Sequence, residues 1–286
     1  KLFSQNQISQ LYIAIDKLSV EKKIAISDIC APLNIKISVI PHASQWRGGL
    51  FEKNQVKDMN IEDLLERDEI SLPFDVLQNT YQNATILVTG AAGSIGSEIC
   101  RQLLKFKFKK LILLDQSESG LFDLEYELKR NNKQHLLKIE IASIRDRVKI
   151  KKVFSNYRPD FVFHAAAYKH VPLMETFTSE AVLTNVFGTK LIADLALSYK
   201  VKKFVMVSTD KAVNPTNIMG TTKRISEIYI QLLSDRPDSK TEFITTRFGN
   251  VLGSAGSVVS TFKKQISSGG PITVTHPEIT RYFMTI

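Results

Sequence analysis

The stretch TILVTGAAGSIGSEIC, Thr85 to Cys100, decides how this chain folds. An apolar run, ILV, leads straight into a glycine turn, and an amphipathic helix opens at once. Gly90, Gly93 and Gly96 make the pattern GxxGxxG. In such a turn the first glycine bends the chain, the second lets backbone approach a pyrophosphate, and the third lets the helix pack on the sheet. The N–H groups at the helix start then face an anion. The expectation is a dinucleotide-binding strand–turn–helix. The next strand, KLILLD, ends at Asp115, 25 residues after Gly90. A carboxylate there can accept both ribose hydroxyls of an adenosine and repels a 2′-phosphate. It can also cap the helix that follows, and the two roles are compatible. The next basic residues, Lys129 and Arg130, lie far along that helix, which favours NAD over NADP.

Outward from this turn the pattern repeats. SEICRQLLKF and GLFDLEYELKRN read as helices, and LLKIEIA, FVFHAAA, KFVMVST and EFITTRF as strands. Short apolar runs alternating with helices of this length predict a doubly wound parallel α/β sheet, a Rossmann fold, over residues 81–286. Residues 1–80 read as a partial α/β segment and linker. Helical periodicity runs over 5–31 through Ile8, Leu11, Tyr12, Ile15 and Leu18 and, after a polar break, Ile24 to Ile29. IKISVIP then alternates like a strand, and a short acidic helix is expected within Ile61–Asp75.

Composition narrows the classes. The chain has 286 residues, 43% of them hydrophobic, enough for one large or two modest domains. Lys plus Arg is 38 against 29 for Asp plus Glu, a net charge of +9. The excess is spread out, with small clusters at Lys105–Lys110 and Lys149–Lys152, and no nucleic-acid motif accompanies it. An anionic substrate, a membrane surface or a solvated basic face would each account for it. Cys30 and Cys100 have no metal-ligand spacing and read as free thiols; no metal site is expected. No run of ~18 apolar residues suggests a membrane span, and no signal peptide is seen. The chain lacks a starting Met and stops at RYFMTI, so it reads as a fragment with a truncated C-terminal substrate-binding part.

Two further stretches carry chemistry. HAAAYKHVPLME, His164 to Glu175, follows the fourth strand of the sheet. Its three small residues let a flat ring lie close to the backbone, and Lys169 and His170 then reach the strand's carboxyl end, where such sheets bind ligands. STDKAVNPTNIMGTTK, Ser208 to Lys223, follows the next strand. Ser208, Thr209, Asp210 and Lys211 come at the rim of the expected crevice, although Thr-Asp-Lys also makes an ordinary polar turn.

Together, GAAGSIGSE, HAAAYKHVPLME, STDKAVNPTNIMGTTKR, RFGNVLGSAGSVV and GGPITVTHPEITRYFMT resemble the nucleotide-sugar 4,6-dehydratases of the extended short-chain dehydrogenase superfamily. The likeness is greatest to the large, membrane-anchored UDP-N-acetylglucosamine 4,6-dehydratases of bacillosamine and O-antigen synthesis. It covers Ile61 to Ile286 strongly and the first sixty residues loosely. Short-chain dehydrogenases place a tyrosine four residues before the lysine. Here that position is Met219, as it is in the members this chain resembles.

The resemblance implies a cofactor set of Gly90, Ala92, Gly93, Ser94, Ile95, Asp115, Ser117, Ser143, Ile144, Ala165, Ala166, Ala167, Ser208 and Lys223 around NAD. Lys223 would hold the nicotinamide ribose. It implies Thr209, Asp210 and Lys211 as catalytic residues, with Lys211 the C5 base and Asp210 the acid. Lys169, Asn250 and Arg281 would meet UDP-N-acetylglucosamine, Asn250 and Arg281 at its diphosphate. It further implies a homo-oligomer anchored at the cytoplasmic face of the inner membrane by a segment ahead of Lys1. An NAD-dependent epimerase and a non-catalytic NAD-binding sensor are the rival readings; the missing tyrosine favours the sensor, and the Asp210–Lys211 pair weighs against the epimerase.

Overall fold

The computed structural model describes residues 8–15, 18–40, 56–59, 73–129, 134–252, 254, 258–274, 278 and 280–284. The chain divides into two compact units, Lys1–Ser71 and Leu72–Ile286.

In the first unit, β1 (Gln10–Ile13), α1 (Val20–Cys30), β2 (Lys36–Val39) and β3 (Lys57–Asp58) form a sheet of order β1-β2-β3. β1 runs parallel to β2, and β3 is antiparallel to it. The helix expected over 5–31 is therefore a strand and then a helix. QLYI is too short for its periodicity to choose between the two. Pairing of Leu11 and Tyr12 with Ile37 and Ser38 decides it. Ser38 is fully buried, accepts from Gln10 Nε2 at 2.9 Å and donates to Asp58 at 3.2 Å, tying the three strands together. The acidic helix expected within Ile61–Asp75 lies outside the described residues as far as Leu72.

The second unit opens with α2 (Phe74–Tyr81). Phe74 stacks on Phe106, and Tyr81 meets Phe161 edge-on, so α2 belongs with the large sheet although it precedes the boundary expected near residue 80. The sheet consists of β4 (Thr85–Thr89), β5 (Lys110–Asp115), β6 (Leu137–Ile141), β7 (Phe161–His164), β8 (Lys203–Thr209) and β9 (Glu242–Phe248). Its order is β6-β5-β4-β7-β8-β9 and every pairing is parallel. The predicted doubly wound α/β sheet is thus present. Its order reverses between β4 and β7, the place where open α/β sheets bind ligands at the strands' carboxyl ends.

The central strands β4, β5 and β7 feed two cores, which is why β4 and β5 read as continuous apolar runs, while β8 and β9 contribute to one. Ile86, Val88, Leu111 and Leu113 pack with Leu103 of α3 (Ser94–Leu103) and with Leu121 and Leu124 of α4 (Glu118–Leu128). Leu87, Ile112, Leu114 and Phe204 pack on the other face with Phe154 of α5 (Arg147–Tyr157), Ile192 of α8 (Thr189–Ser198) and Ile230 of α9 (Ile218–Ser234). Between β7 and α8 lie α6 (Val171–Thr176), α7 (Thr178–Ala181) and a π-helical segment, Val182–Gly188. The run Thr178–Ser198 is long and apolar enough to cross a membrane by length and composition, a signal that single-residue runs did not give. Its Ile192, Ala193 and Ala196 are buried in the core of this unit. After β9 come β10 (Asn250–Val251), α10 (Val258–Ser267) and β11 (Phe283–Met284), with β10 and β11 paired in parallel.

Candidate active site

Glycine builds the turn after β4. Gly90 has φ +69°, in the left-handed region that costs glycine little. A Cβ there would lie 2.5 Å from the backbone nitrogen of Ala166, so the turn backs onto the chain leaving β7. A Cβ on Gly96 would lie 2.0 Å from the Gly90 carbonyl oxygen. The third glycine thus seats α3 on the turn itself, where the sequence suggested a helix–sheet contact. Gly93 caps α3, and Ser94 and Ile95 begin it. A helix start carries partial positive charge suited to phosphate.

Asp115, at the end of β5, fastens this loop. Its Oδ2 accepts from Ala92 N at 3.1 Å and its Oδ1 from Ser117 N at 2.9 Å. The cap of α4 is Ser117, whose hydroxyl accepts from Gly120 N at 3.2 Å. The capping role considered for Asp115 therefore falls to its neighbour. Lys129 is paired with Glu125 at 3.2 Å, and Arg130 lies outside the described residues. Ser143 Oγ accepts from Arg145 N, and Ile144 is buried, with its Cδ1 2.6 Å from where a Gly188 Cβ would stand. Ala165, Ala166 and Ala167 are half-buried along the chain leaving β7. Turn, helix start, strand-end carboxylate and small residues together make a cradle at the carboxyl ends of β4, β5 and β7.

Beneath it lies a residue that sequence reading passed over. His164 is fully buried, with Nδ1 2.7 Å from Thr89 Oγ1 and Nε2 2.9 Å from Thr189 Oγ1. Burial, and then the charge of Lys223, pull its imidazole down to about 3. It is a neutral brace between the end of β4 and the start of α8. Asn185, in the π-helical segment, is a second such residue. Its Oδ1 accepts from Tyr168 N at 2.8 Å, and its Nδ2 donates to Tyr168 O at 3.0 Å and Thr222 Oγ1 at 3.1 Å. An asparagine inside an apolar helical run was the available signal. Lys169 and His170 are exposed; with Tyr168, Leu173, Met174 and Phe177 they line a separate cavity of about 230 Å³. Desolvation there lowers the Lys169 amine from its ordinary value.

The groups expected to carry the chemistry follow β8. Thr209 Oγ1 donates to Asp210 Oδ1 at 2.9 Å. Lys211 Nζ donates to the same oxygen at 3.1 Å and to Asn250 Oδ1 at 3.1 Å. Burial pushes the Asp210 carboxyl up, but the hydrogen bonds from Lys211 and Thr209 outweigh it and hold the group below the usual carboxylate range. As it stands, Asp210 is an acceptor. Gly220 lets α9 come down on this turn, for a Cβ there would lie 2.2 Å from the Lys211 carbonyl oxygen.

Ser208 does not turn toward the turn's outer groups. It is buried and donates to Glu227 Oε1 at 2.6 Å. Glu227, four residues after Lys223 on α9, also binds Arg247 and Arg224, and it went unread because a carboxylate on a long helix is usually a surface group. Lys223 is 5% exposed and donates to Val207 O at 2.7 Å. Burial pulls its amine down to about 8, against the attraction of Glu227. Met219 is 3% exposed and packs with Met174 and Ala181. Arg281 stands two residues ahead of β11 with Nη1 on the Thr280 carbonyl. Its neighbour Tyr282 accepts from Asn250 N at 2.9 Å. The structure thus joins Thr209, Asp210, Lys211 and Asn250 in one hydrogen-bonded group, and gives Arg281 no bond to it.

A six-stranded parallel sheet, a glycine turn at its order reversal and a polar cluster beyond β8 define a Rossmann fold of the short-chain dehydrogenase/reductase kind. The sequence profile of the polysaccharide biosynthesis protein family matches residues 86–286, and the chain belongs to that family. It is 47% identical over 288 residues to the capsular polysaccharide biosynthesis protein CapD of Staphylococcus aureus, covering 100% of this chain but 48% of CapD, about half its length. A UDP-glucose 4-epimerase of Rickettsia rickettsii is 35% identical, covering 72% of this chain and 60% of its own. An inverting UDP-N-acetylglucosamine 4,6-dehydratase of Campylobacter jejuni is 34% identical, covering 72% and 61%. Among solved structures, Pen from Bacillus thuringiensis superposes with a TM-score of 0.67 at 37% identity, covering 72% of this chain and 64% of Pen.

Proposed function

We propose that this chain carries the reaction centre of a nucleotide-sugar 4,6-dehydratase acting on UDP-N-acetylglucosamine. The observation that carries the reading is the chain of hydrogen bonds Thr209–Asp210–Lys211 at the carboxyl end of β8, next to the dinucleotide cradle. NAD, held by the Gly90–Gly96 turn, Asp115 and the Ala165–Ala167 segment, would supply hydride acceptance at C4 and hydride return to C6.

The protein's own groups account for the protons. Thr209 hydrogen-bonds the sugar 4-hydroxyl and passes its proton to the ionised Asp210 as the C4 ketone forms. This suits a carboxylate that starts as an acceptor, and it supplies the proton that Asp210 later needs as an acid. The ketone acidifies C5. Lys211, as free amine, takes the C5 proton, and the electron pair delocalises onto the C4 oxygen as an enolate. The enolate then expels the C6 oxygen, which leaves as water with the proton from Asp210. Lys211 returns its proton to C5, and the net change is the loss of one water. A positioned acid or base of this kind contributes ~10²–10⁴ in rate. Buried Met219 takes no part in this sequence, and Lys223 contributes positive charge beneath the site.

The 35% identity to a 4-epimerase favours a second reading, epimerisation at C4, which needs no C5 base. Mass spectrometry of UDP-N-acetylglucosamine after incubation with the full-length protein and NAD separates them. A product lighter by one water supports the dehydratase. An isomer of unchanged mass means the epimerase, and untouched substrate means a protein that binds without turnover.

A further inference from the structure

Lys211 is held from two sides. Asp210, its neighbour in the turn, takes one N–H, and Asn250, at the start of β10, takes another, both at 3.1 Å. The second partner stands on a separate element, β10. Asn250 N donates to Tyr282 O at 2.9 Å, and β10 pairs with β11. The residue before it has no room for a side chain, since a Cβ on Gly249 would lie 2.6 Å from Tyr282 O, so the chain ahead of Asn250 packs directly on the segment leading into β11. A lysine has no acceptor, so the Asn250 carboxamide must present its oxygen to Nζ. Its Nδ2 then points elsewhere, and among the described residues it meets no acceptor. Asp210 is the charged group in contact with Lys211; Asn250 is neutral, and Gly220 of α9 contributes none.

We infer that Asn250 is a positioning residue for Lys211: its Oδ1, together with Asp210, occupies two of the amine's three directions and leaves the third for the substrate. A free amine has two N–H bonds and one lone pair. With both N–H bonds engaged, the lone pair has a single direction left. A neutral acceptor matters here, because a second carboxylate would hold the amine as ammonium. The carboxamide also ties two ends of the substrate together. With no acceptor for it among the described residues, its Nδ2 suits the diphosphate contact expected of Asn250 from the sequence, so that nucleotide binding and base orientation would share one side chain. The inference rests on the dehydratase reading for the identity of the substrate, and not for the arrangement of Lys211.

Two measurements on the full-length protein test it. The first needs no turnover: acetylation of Lys211 by acetic anhydride, read by peptide mass spectrometry against exposed Lys200. Asn250→Asp, nearly isosteric, is expected to slow labelling about tenfold, the effect of one added charge in contact. The second supplies the 4-keto-6-deoxy sugar nucleotide in D₂O and follows exchange at C5. Asn250→Ala is expected to lower exchange by ~10² at saturating sugar nucleotide, the loss of a misdirected base. Unchanged labelling in Asn250→Asp, or wild-type exchange in Asn250→Ala with a native circular-dichroism spectrum, overturns the inference. If the wild type exchanges nothing and releases no water, the dehydratase reading fails, and the labelling result still decides whether Asn250 governs Lys211.

Discussion

Lys223 carries an amine into the interior with a backbone carbonyl for company, and that has a measurable signature. Its value in the folded protein, about 8, lies below the ordinary 10.5. Between those values the unfolded chain binds a proton that the folded one has lost. The stability linked to Lys223 is therefore present above about 10.5 and lost as pH falls through about 8. At ~1.4 kcal/mol per unit the difference is ~3 kcal/mol. Lys223→Met should flatten the rise in urea-unfolding free energy across that window, and an unaltered slope would mean that the amine is solvated. Met219→Ala is expected to cost ~2–5 kcal/mol in stability by leaving a cavity. Its activity per folded molecule should stay within ~10-fold, while Asp210→Asn and Lys211→Ala lose ~10²–10⁴. Water-loss rates scaled to the folded fraction give the comparison, and equal losses in all three would place the thioether in the chemistry. The residues that sequence could pick out were those beside a recognisable turn: Gly90, Asp115, Asp210, Lys211. His164, Asn185 and Glu227 could not be picked out, since each is defined by a partner 17 or more residues away that only folding brings near.

Among elements, α9 sets the site's precision. Its N-cap Asn217 accepts from Gly220 N at 2.8 Å, and its first turn lies against Lys211. Gly220→Ala puts a methyl group into a backbone oxygen, so helix or turn must shift. A displacement of ~1 Å at a reacting group can cost ~10² in rate. The variant should lose about that much turnover while its far-UV spectrum stays native; full activity would show that the turn can yield. The central strands β4 and β5 were legible because burial on both faces makes each an unbroken apolar run that ends at Gly90 or Asp115, and β8 was legible by its alternation, with Phe204 and Met206 buried. β1 was not legible. Four residues satisfy a helical and an extended pattern alike, and β2, more than twenty residues on, makes the choice.

At the largest scale, both large cores are built from residues within 72–286. That stretch produced alone is expected to unfold in one cooperative transition by circular dichroism. Loss of near-UV signal with retained helix content would show instead that it needs more of the chain to pack. Several lysines at the surface of this unit are paired, Lys190 with Asp194, Lys202 with Asp160 and Lys203 with Glu242, which leaves the net charge of +9 as it was. Exposed pairs of this kind add little stability. Net charge therefore bore on possible partners and not on the fold.

The wide-wound segment Val182–Gly188 leaves the helix between α7 and α8 with a residue more than regular winding would use. Such a surplus behaves as a phase adjuster. Remove one residue there, exposed Phe187 for instance, and the backbone can rewind as ordinary α-helix with its hydrogen bonds intact. The wide turn had absorbed the surplus, so the helix on either side keeps nearly the same phase, and the change falls on the residues inside the segment. Asn185, which clamps Tyr168, and Thr189, which braces His164, sit on opposite sides of that cut. A shortened helix would keep Thr189 on His164 and re-aim Asn185, which lies inside the segment, away from Tyr168, so the surplus residue serves the clamp on Tyr168.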